Sequence, residues 1–306
     1  MAVYKQEHFG LARKIVATMT CLSWYDVPHA VTSYEPDVTE FMEVCKKLND
    51  GITDKSQKIT VNTVMMKVIC EGLKAAPILN CTLDYNRKLI NGTLNFHDKV
   101  NISLPIMLKD GKMTTVNLHD MGDKSLTEMN EVINDTMRRM ENSNINEAMY
   151  EVIVGDTLEG LRKGKVGQAI NRGFSAIFGK QKLEHLKGAE KKAYYAIPAT
   201  ERLTKRDIEQ GTITISNLGS VRRDHKGMCC LLEIIPPQVC AIAINAAQRR
   251  ATVVKDEDGN EKIEARTIMP LTIVMDHRAL DYGDFFPFFE KLDSIFANPE
   301  VILNWR

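Results

Sequence analysis

The sequence predicts an α+β fold. Apolar residues recur at helical spacing in several stretches, among them residues 9–22 and 60–76. Residues 99–109 instead alternate apolar side chains with other residues at a period of two, which is typical of a strand. Because strand and helix patterns mix without strict βαβ alternation, the sequence favours an α+β sheet over a doubly wound one.

The elements of the first part of the chain begin and end at recognisable residues. Thr39 is a suitable N-cap for a helix that Gly51 can end. Pro77 ends the apolar helix at residues 60–76. The expected order is a helix at 9–22, an extended segment at 29–36, a helix from 39 to about 51 and a helix at 60–76.

Turn and capping patterns divide the rest of the chain. Asp110-Gly111 predicts a turn between the strand at 99–109 and a partner around 112–118. Ser125 and Glu128 form a capping-box pattern for a helix that ends near Met140. Later strands are expected at 211–217, 239–245 and 265–275, with a hairpin turn at Asp258-Gly259.

Composition and charge argue against several classes of protein. The 306 residues include forty basic and forty acidic side chains, so the chain lacks the basic excess of a nucleic-acid binder. The first residues show no signal-peptide pattern, and no run of ~18 apolar residues predicts a transmembrane helix. Seven cysteines without a CxxC pair argue against a zinc ribbon and predict reduced thiols in the cytoplasm.

Residues 148–200 differ in character from the rest of the chain. Nine basic side chains fall between Leu161 and Lys192, where only Glu184 and Glu190 oppose them. Glycines interrupt the apolar pattern and lower its helix propensity. Two hypotheses stay open: a solvated helical insertion, or a surface at 160–192 that contacts an anionic ligand or the headgroups of a membrane.

The strongest chemical pattern lies at residues 269–292. A buried strand is expected to end in Asp276-His277-Arg278, and Asp281 follows four residues after the histidine. A histidine held in one tautomer at a strand end is suited to act as a general base, because imidazole titrates near neutral pH. The spacing alone is also compatible with a structural or surface histidine.

Several segments together resemble the catalytic domain of the dihydrolipoamide acyltransferases, within the chloramphenicol acetyltransferase-like superfamily. GTITISNLG at 211–219 and EIIPPQVCAIAIN at 233–245 are similar to that family in their order and in their distance from the histidine. The resemblance extends upstream to residues 27–41, 59–84 and 100–129. It covers residues 9–146 and 201–303, and the insertion at 148–200 has no counterpart in it.

The resemblance implies a single acyltransferase domain over residues 1–306, with a mixed sheet packed on helices and active sites shared between the subunits of a homotrimer or a multiple of trimers. His277 is the expected general base, acting on a thiol, hydroxyl or amine that attacks a thioester. Ser216 is the expected oxyanion donor, and Asp281 supports the geometry of the site. Tyr282, Asn217 and Arg13 are the expected residues of the substrate channel, Arg13 as an ion-pair partner of Asp281.

The resemblance also implies the substrates. Coenzyme A, as acyl-CoA, is the expected co-substrate and a small molecule the acceptor, with no metal. No lipoyl group of its own is expected, because no lipoyl domain precedes residue 9. Two alternatives remain: the acyltransferase core of a 2-oxoacid dehydrogenase complex served by a separate acyl-carrier or lipoyl protein, and a catalytically inactive scaffold or binding homologue.

Three further residues leave their roles open. Tyr282 stands where the family usually has glycine, which predicts a narrowed acceptor channel, a hydrogen bond to an unusual acceptor or a degraded site. His29, directly after Pro28, is expected to be structural. His225 lies in the basic stretch 222–226, either in a solvated loop or in contact with a phosphate or carboxylate of a substrate.

Overall fold

The computed structural model describes residues 3–108, 111, 113–162, 185–256 and 258–306. The chain divides into two compact units. The sheet unit consists of Leu22–Ile133 and Gly211–Arg306, and the helical unit consists of Met1–Cys21 and Asn134–Gln210. His277, Ser216 and Asp281 all belong to the sheet unit.

Ten strands lie in the sheet unit, among the described residues. Six of them form one sheet in the order β1-β10-β7-β6-β4-β5, in which β6 is parallel to both β4 and β7 and the other neighbours are antiparallel. The β2–β3 and β8–β9 pairs are separate antiparallel hairpins. This mixed sheet confirms the predicted α+β class. The strands are β1 (His29–Tyr34), β2 (Cys81–Asn86), β3 (Asn91–Phe96), β4 (Ile102–Met107), β5 (Met113–Leu118), β6 (Ile213–Asn217), β7 (Cys240–Ile244), β8 (Gln248–Lys255), β9 (Glu261–Ile268) and β10 (Leu271–Asp276).

The helices follow the predicted order. Two of them, α1 and α4, continue across a boundary between the units along the chain. The sheet unit also contains α2, α3, α8 and α9, and the helical unit contains α5, α6 and α7. The helices are α1 (Leu11–Asp26), α2 (Thr39–Lys47), α3 (Val61–Ala75), α4 (Leu126–Glu141), α5 (Ile145–Arg162), α6 (Gly188–Ala196), α7 (Lys205–Ile208), α8 (Leu218–Val221) and α9 (Phe286–Ala297).

The centre of the sheet is covered on both faces. Every residue of β7 and β10 is buried, which is why these strands read as nearly continuous apolar runs. Within the sheet unit, Gly72 allows α3 to pack closely against α9, since a Cβ atom at this position would lie 2.6 Å from the ring of Phe288 in α9. The strand that carries the catalytic candidate is therefore part of a rigid core.

One strand prediction is wrong. The predicted strand at 265–275 is two strands, because β9 ends at Ile268 and β10 begins at Leu271. Pro270 lies in the break and has no N–H to donate to a sheet. Its carbonyl accepts hydrogen bonds from the backbone N–H of Asn245 at 3.0 Å and from the Asn245 side chain at 3.0 Å. β10 consequently starts afresh, with its own register against β1 and β7.

The helical unit is held by buried charged side chains. Arg139 donates to both carboxylate oxygens of Asp207, at 2.9 and 2.8 Å, and this pairing holds the pKa of Asp207 below its ordinary value. Glu147 is fully buried and accepts hydrogen bonds from the Leu186 N–H at 2.8 Å and the Tyr195 hydroxyl at 3.0 Å. These contacts fix residue 186 to the start of α5.

Most of the predicted basic insertion lies outside the described residues. Residues 163–184 fall there, so the proposed anion- or membrane-binding surface at 160–192 stays a prediction. The described flanks are the helices α5 and α6. Within the described part of the chain, no helix combines the length and the apolar character needed to cross a membrane.

Candidate active site

His277 directly follows the buried strand β10. The register of β1 against β10 places His29 opposite Asp276. The His277 N–H donates to the carbonyl of Pro28 at 3.0 Å, and the Asp276 N–H donates to the carbonyl of Val239 at 2.9 Å. The backbone that presents His277 is therefore held by the chain segments on both sides of it.

A buried ion pair shapes the loop after β10. The Asp276 carboxylate is 1% exposed and accepts from Arg278 Nε at 3.0 Å, from Arg278 Nη2 at 2.6 Å and from the Arg278 N–H at 3.0 Å. The Asp276 hydrogen bond raises the pKa of Arg278. The guanidinium also lies over the ring of Tyr85 in β2, 5.0 Å from its centroid. A buried carboxylate requires such partners, so the pair fixes the turn around His277.

The orientation of the His277 ring defines its tautomer. Nδ1 lies 3.0 Å from the carbonyl oxygen of Leu280, and a carbonyl can only accept. Nδ1 therefore carries the proton in the neutral ring, which leaves the Nε2 lone pair available as a base. The side chain is 51% exposed, so that lone pair belongs to a group that solvent and substrate can reach.

Asp281 lies near the imidazole, but its contact with Nδ1 is longer than that of the Leu280 carbonyl. Its Oδ1 is 3.5 Å from His277 Nδ1, and its side chain is 88% exposed. Its backbone N–H donates to the Asp284 carboxylate at 2.8 Å, which begins the short helical turn that leads into α9. The supporting role of Asp281 stays a prediction, and the carbonyl of Leu280 is the orienting group that the sequence did not reveal.

Tyr282 packs on the aromatic helix that follows. Its ring centroid lies 5.6 Å from that of Phe286 and 6.2 Å from that of Phe289, and the side chain is about half exposed. The phenol thus stands beside Asp281 on the surface, supported by α9. Its place in a substrate channel stays a prediction.

Ser216 is not brought to His277 within one chain. It is buried in β6, where it pairs with Ala243 of β7, and Ala243 pairs in turn with Thr272 of β10. His277 lies five residues beyond Thr272 along the strand direction, which corresponds to about 17 Å at the ordinary rise of a strand. The two predicted catalytic residues therefore belong to opposite ends of the sheet.

The two remaining channel candidates have structural settings of their own. Asn217 caps α8, because its Oδ1 accepts from the Ser220 N–H at 2.9 Å. Arg13 is exposed on α1 within the helical unit. The channel roles of both residues, and the pairing of Arg13 with Asp281, stay predictions.

Side chains at the Ser216 end anchor the loop that contains His225. Asn245 accepts from the Cys229 N–H at 2.8 Å and donates to the Thr272 hydroxyl at 3.1 Å, and that hydroxyl donates to the Cys229 carbonyl. His225 itself is exposed. At the end of the sheet where Ser216 lies, these hydrogen bonds thus hold the start of a basic surface loop against the strands.

A family model describes most of the chain. The model of the 2-oxoacid dehydrogenases acyltransferase (catalytic domain) matches residues 3–151 and 189–304. The unmatched residues 152–188 fall within the insertion predicted at 148–200.

Curated relatives share low identity over most of the chain. The chain is 24% identical over 293 residues to the dihydrolipoyllysine-residue acetyltransferase component of the pyruvate dehydrogenase complex from Rickettsia bellii, covering 95% of this chain and 52% of the relative. The corresponding Buchnera aphidicola component is 24% identical over 261 residues, covering 85% of this chain and 46% of the relative. The chain spans about half the length of the curated relatives it matches.

Solved structures share the fold. The cubic core of the pyruvate dehydrogenase multienzyme complex matches with a TM-score of 0.64 and 18% identity, covering 98% of this chain and 94% of that one. A probable dihydrolipoamide acetyltransferase from Listeria monocytogenes gives 0.63 and 18%, covering 96% and 94%. A dihydrolipoamide acetyltransferase from Azotobacter vinelandii, studied for the role of a serine, a histidine and an asparagine in its catalytic mechanism, gives 0.64 and 18%, covering 98% and 94%.

These comparisons correct one expectation about the cofactors. The prediction that the protein works without a lipoyl group of its own is wrong, because its relatives are acetyltransferases of a dihydrolipoyllysine residue. The prediction relied on where the sequence begins. The residues of a catalytic domain carry no information about a modified lysine elsewhere in a protein.

Proposed function

Because the chain belongs to the 2-oxoacid dehydrogenase acyltransferase family and is an acyltransferase of that family, we propose that it is the acyltransferase core of a 2-oxoacid dehydrogenase complex. In this role it moves an acyl group between a lipoyl thiol and the thiol of coenzyme A. This proposal replaces acyl transfer to a small hydroxyl or amine acceptor, since the relatives act on a dihydrolipoyllysine residue.

The setting of His277 is the observation that carries the chemistry. Its Nδ1 is committed to the Leu280 carbonyl at 3.0 Å, so its Nε2 takes the proton from the attacking thiol. The resulting thiolate attacks the thioester carbonyl and forms a tetrahedral intermediate. When the intermediate collapses, the second thiolate leaves and takes the proton back from the imidazolium.

Two further groups support this exchange. The Ser216 hydroxyl donates a hydrogen bond to the oxyanion of the intermediate, where a pre-aimed donor is most effective. Asp281, 3.5 Å from Nδ1, stabilises the imidazolium while the proton is on the histidine. In the Azotobacter relative an asparagine stands four residues after the histidine, as Asp281 does after His277.

The register of the sheet supports a site shared between two copies of the chain. Ser216 and His277 of one chain are separated by about 17 Å along the strand direction, too far for both to contact one thioester carbon. A second copy must then supply the serine to each histidine. We therefore propose a homotrimer or a multiple of trimers, in which each interface holds one active site.

The test is a comparison of acceptors. Purified protein is given acetyl-, succinyl- and branched-chain acyl-CoA with dihydrolipoamide, and with analogues in which hydroxyls or amines replace the thiols. Transfer to the dithiol should exceed transfer to either analogue by at least ~10²-fold, because a thiol is the acceptor most readily deprotonated near neutral pH. Transfer to a hydroxyl or amine analogue with none to dihydrolipoamide would overturn the proposal.

A further inference from the structure

His29 of β1 contacts both the end of α1 and the segment that contains Ile234, next to the catalytic loop at residues 276–281. Its Nε2 lies 3.1 Å from the backbone nitrogen of Ile234 and 3.2 Å from the hydroxyl of Ser23 at the end of α1. Ser23 and Ile234 are both fully buried. The ring of Trp24 stacks on the imidazole at a centroid distance of 6.2 Å.

These contacts define the state of the His29 ring. A backbone N–H can only donate, so Nε2 must accept from Ile234. In the neutral ring the proton therefore lies on Nδ1, the same tautomer as that of His277. A buried N–H without an acceptor is disfavoured, so the Ile234 bond requires His29 to stay an acceptor.

The same short segment holds both His277 and the core beneath it. Val27 packs with Ile234, Ala241 and Val274 in a buried cluster that includes side chains of β7 and β10. Pro28 accepts the hydrogen bond from the His277 N–H at 3.0 Å. Residues 27–29 thus connect the imidazole of His29, through one backbone carbonyl, to the backbone of the catalytic base.

We propose that His29 is a positioning residue for His277, an inference that rests on the proposed acyl transfer. By accepting from Ile234, His29 fixes the segment whose Pro28 carbonyl holds the His277 N–H. Loss of that acceptor frees the segment and with it the placement of the general base. A displacement of about 1 Å at a reacting group can cost up to ~10²-fold in rate.

A matched pair of amide variants tests the role. In His29→Gln the side-chain oxygen stands as many bonds from Cα as Nε2 does, so it can still accept from Ile234. His29→Asn presents the same amide one methylene short. We expect His29→Gln to keep kcat within about threefold of wild type and His29→Asn to lower kcat by ~10–100-fold, with KM for acyl-CoA within about twofold in both.

Hydrogen exchange measured by mass spectrometry supplies a readout that needs no activity. His29→Asn should speed exchange in peptides that cover residues 229–238 and also in those that cover 276–281, whereas His29→Gln should change neither. Equal kcat for the two variants, or exchange that changes only at 229–238, would overturn the positioning role. If the wild-type chain transfers no acyl group, the proposed function fails, while the exchange data still decide whether His29 is coupled to the catalytic loop.

Discussion

The two ends of the central sheet supply different kinds of catalytic group. His277 stands in a loop after β10, half exposed, with its ring oriented by a carbonyl and its turn fixed by the buried Asp276–Arg278 pair. Ser216 is buried within the regular strand β6. A general base needs access to the thiol it deprotonates, whereas an oxyanion donor needs a fixed direction. Because neither end is a complete site, the proposed active site needs His277 from one chain and Ser216 from another.

The largest effect is expected at the exposed end. His277→Ala should lower turnover by ~10²–10⁴ because it removes the proton acceptor, with little change in folding. Steady-state transfer between acyl-CoA and dihydrolipoamide measures this. His8→Ala, the loss of an exposed histidine that has no role in the proposed site, is the control and should stay within about twofold. Turnover of His277→Ala within about threefold of wild type would remove it from the mechanism.

A smaller loss is expected at the buried end. Ser216→Ala removes one oxyanion donor, which typically costs ~10²–10³ in kcat. Binding of acyl-CoA, measured by calorimetry, should remain nearly unchanged because the donor acts on the intermediate. Ser220→Ala, a loss of a hydroxyl in α8, serves as control. If affinity falls while kcat does not, Ser216 is a binding residue instead.

The smallest of these effects on rate concerns the turn that presents the base. Arg278→Met leaves the Asp276 carboxylate buried without its main partner, so the free energy of unfolding should fall by about 3 kcal/mol. Turnover should fall by ~10-fold as His277 loses its fixed placement. Urea unfolding and kinetics measure both quantities. Adding Asp276→Asn to Arg278→Met should recover part of the lost stability, since it removes the unpaired charge. If Arg278→Met alone is as stable as wild type, the ion pair does not hold the loop.

The sequence predicted the catalytic strand and its histidine because chemistry and pattern coincide there. An apolar run that ends in Asp276-His277-Arg278 specifies both a buried strand and an accessible imidazole. The contact that orients the His277 imidazole could not be predicted from the sequence, because the carbonyl of Leu280 is a backbone group that any residue would supply. His29 was predicted to be structural, and its link to His277 appears only once Pro28 and Ile234 are seen as its neighbours.

The separation of Ser216 from His277 depends on register, which residue patterns do not define in a fully buried sheet. An amphipathic strand reveals its register through alternation, but every residue of β7 and β10 is buried. The break at Pro270 was missed for a related reason, since residues 265–275 form an extended apolar pattern that spans two strands with different partners.

Complementation between inactive variants tests the shared site most directly. Chains with His277→Ala and chains with Ser216→Ala, carrying different tags, are co-expressed, and assemblies that contain both are purified. In a mixed trimer of either composition, one of the three interfaces joins an intact His277 to an intact Ser216, so purified mixed trimers should recover about a third of wild-type turnover. A larger assembly of randomly composed trimers should recover about a quarter. If the verified mixed assemblies are no more active than either variant alone, each site is built within one chain and the account is contradicted.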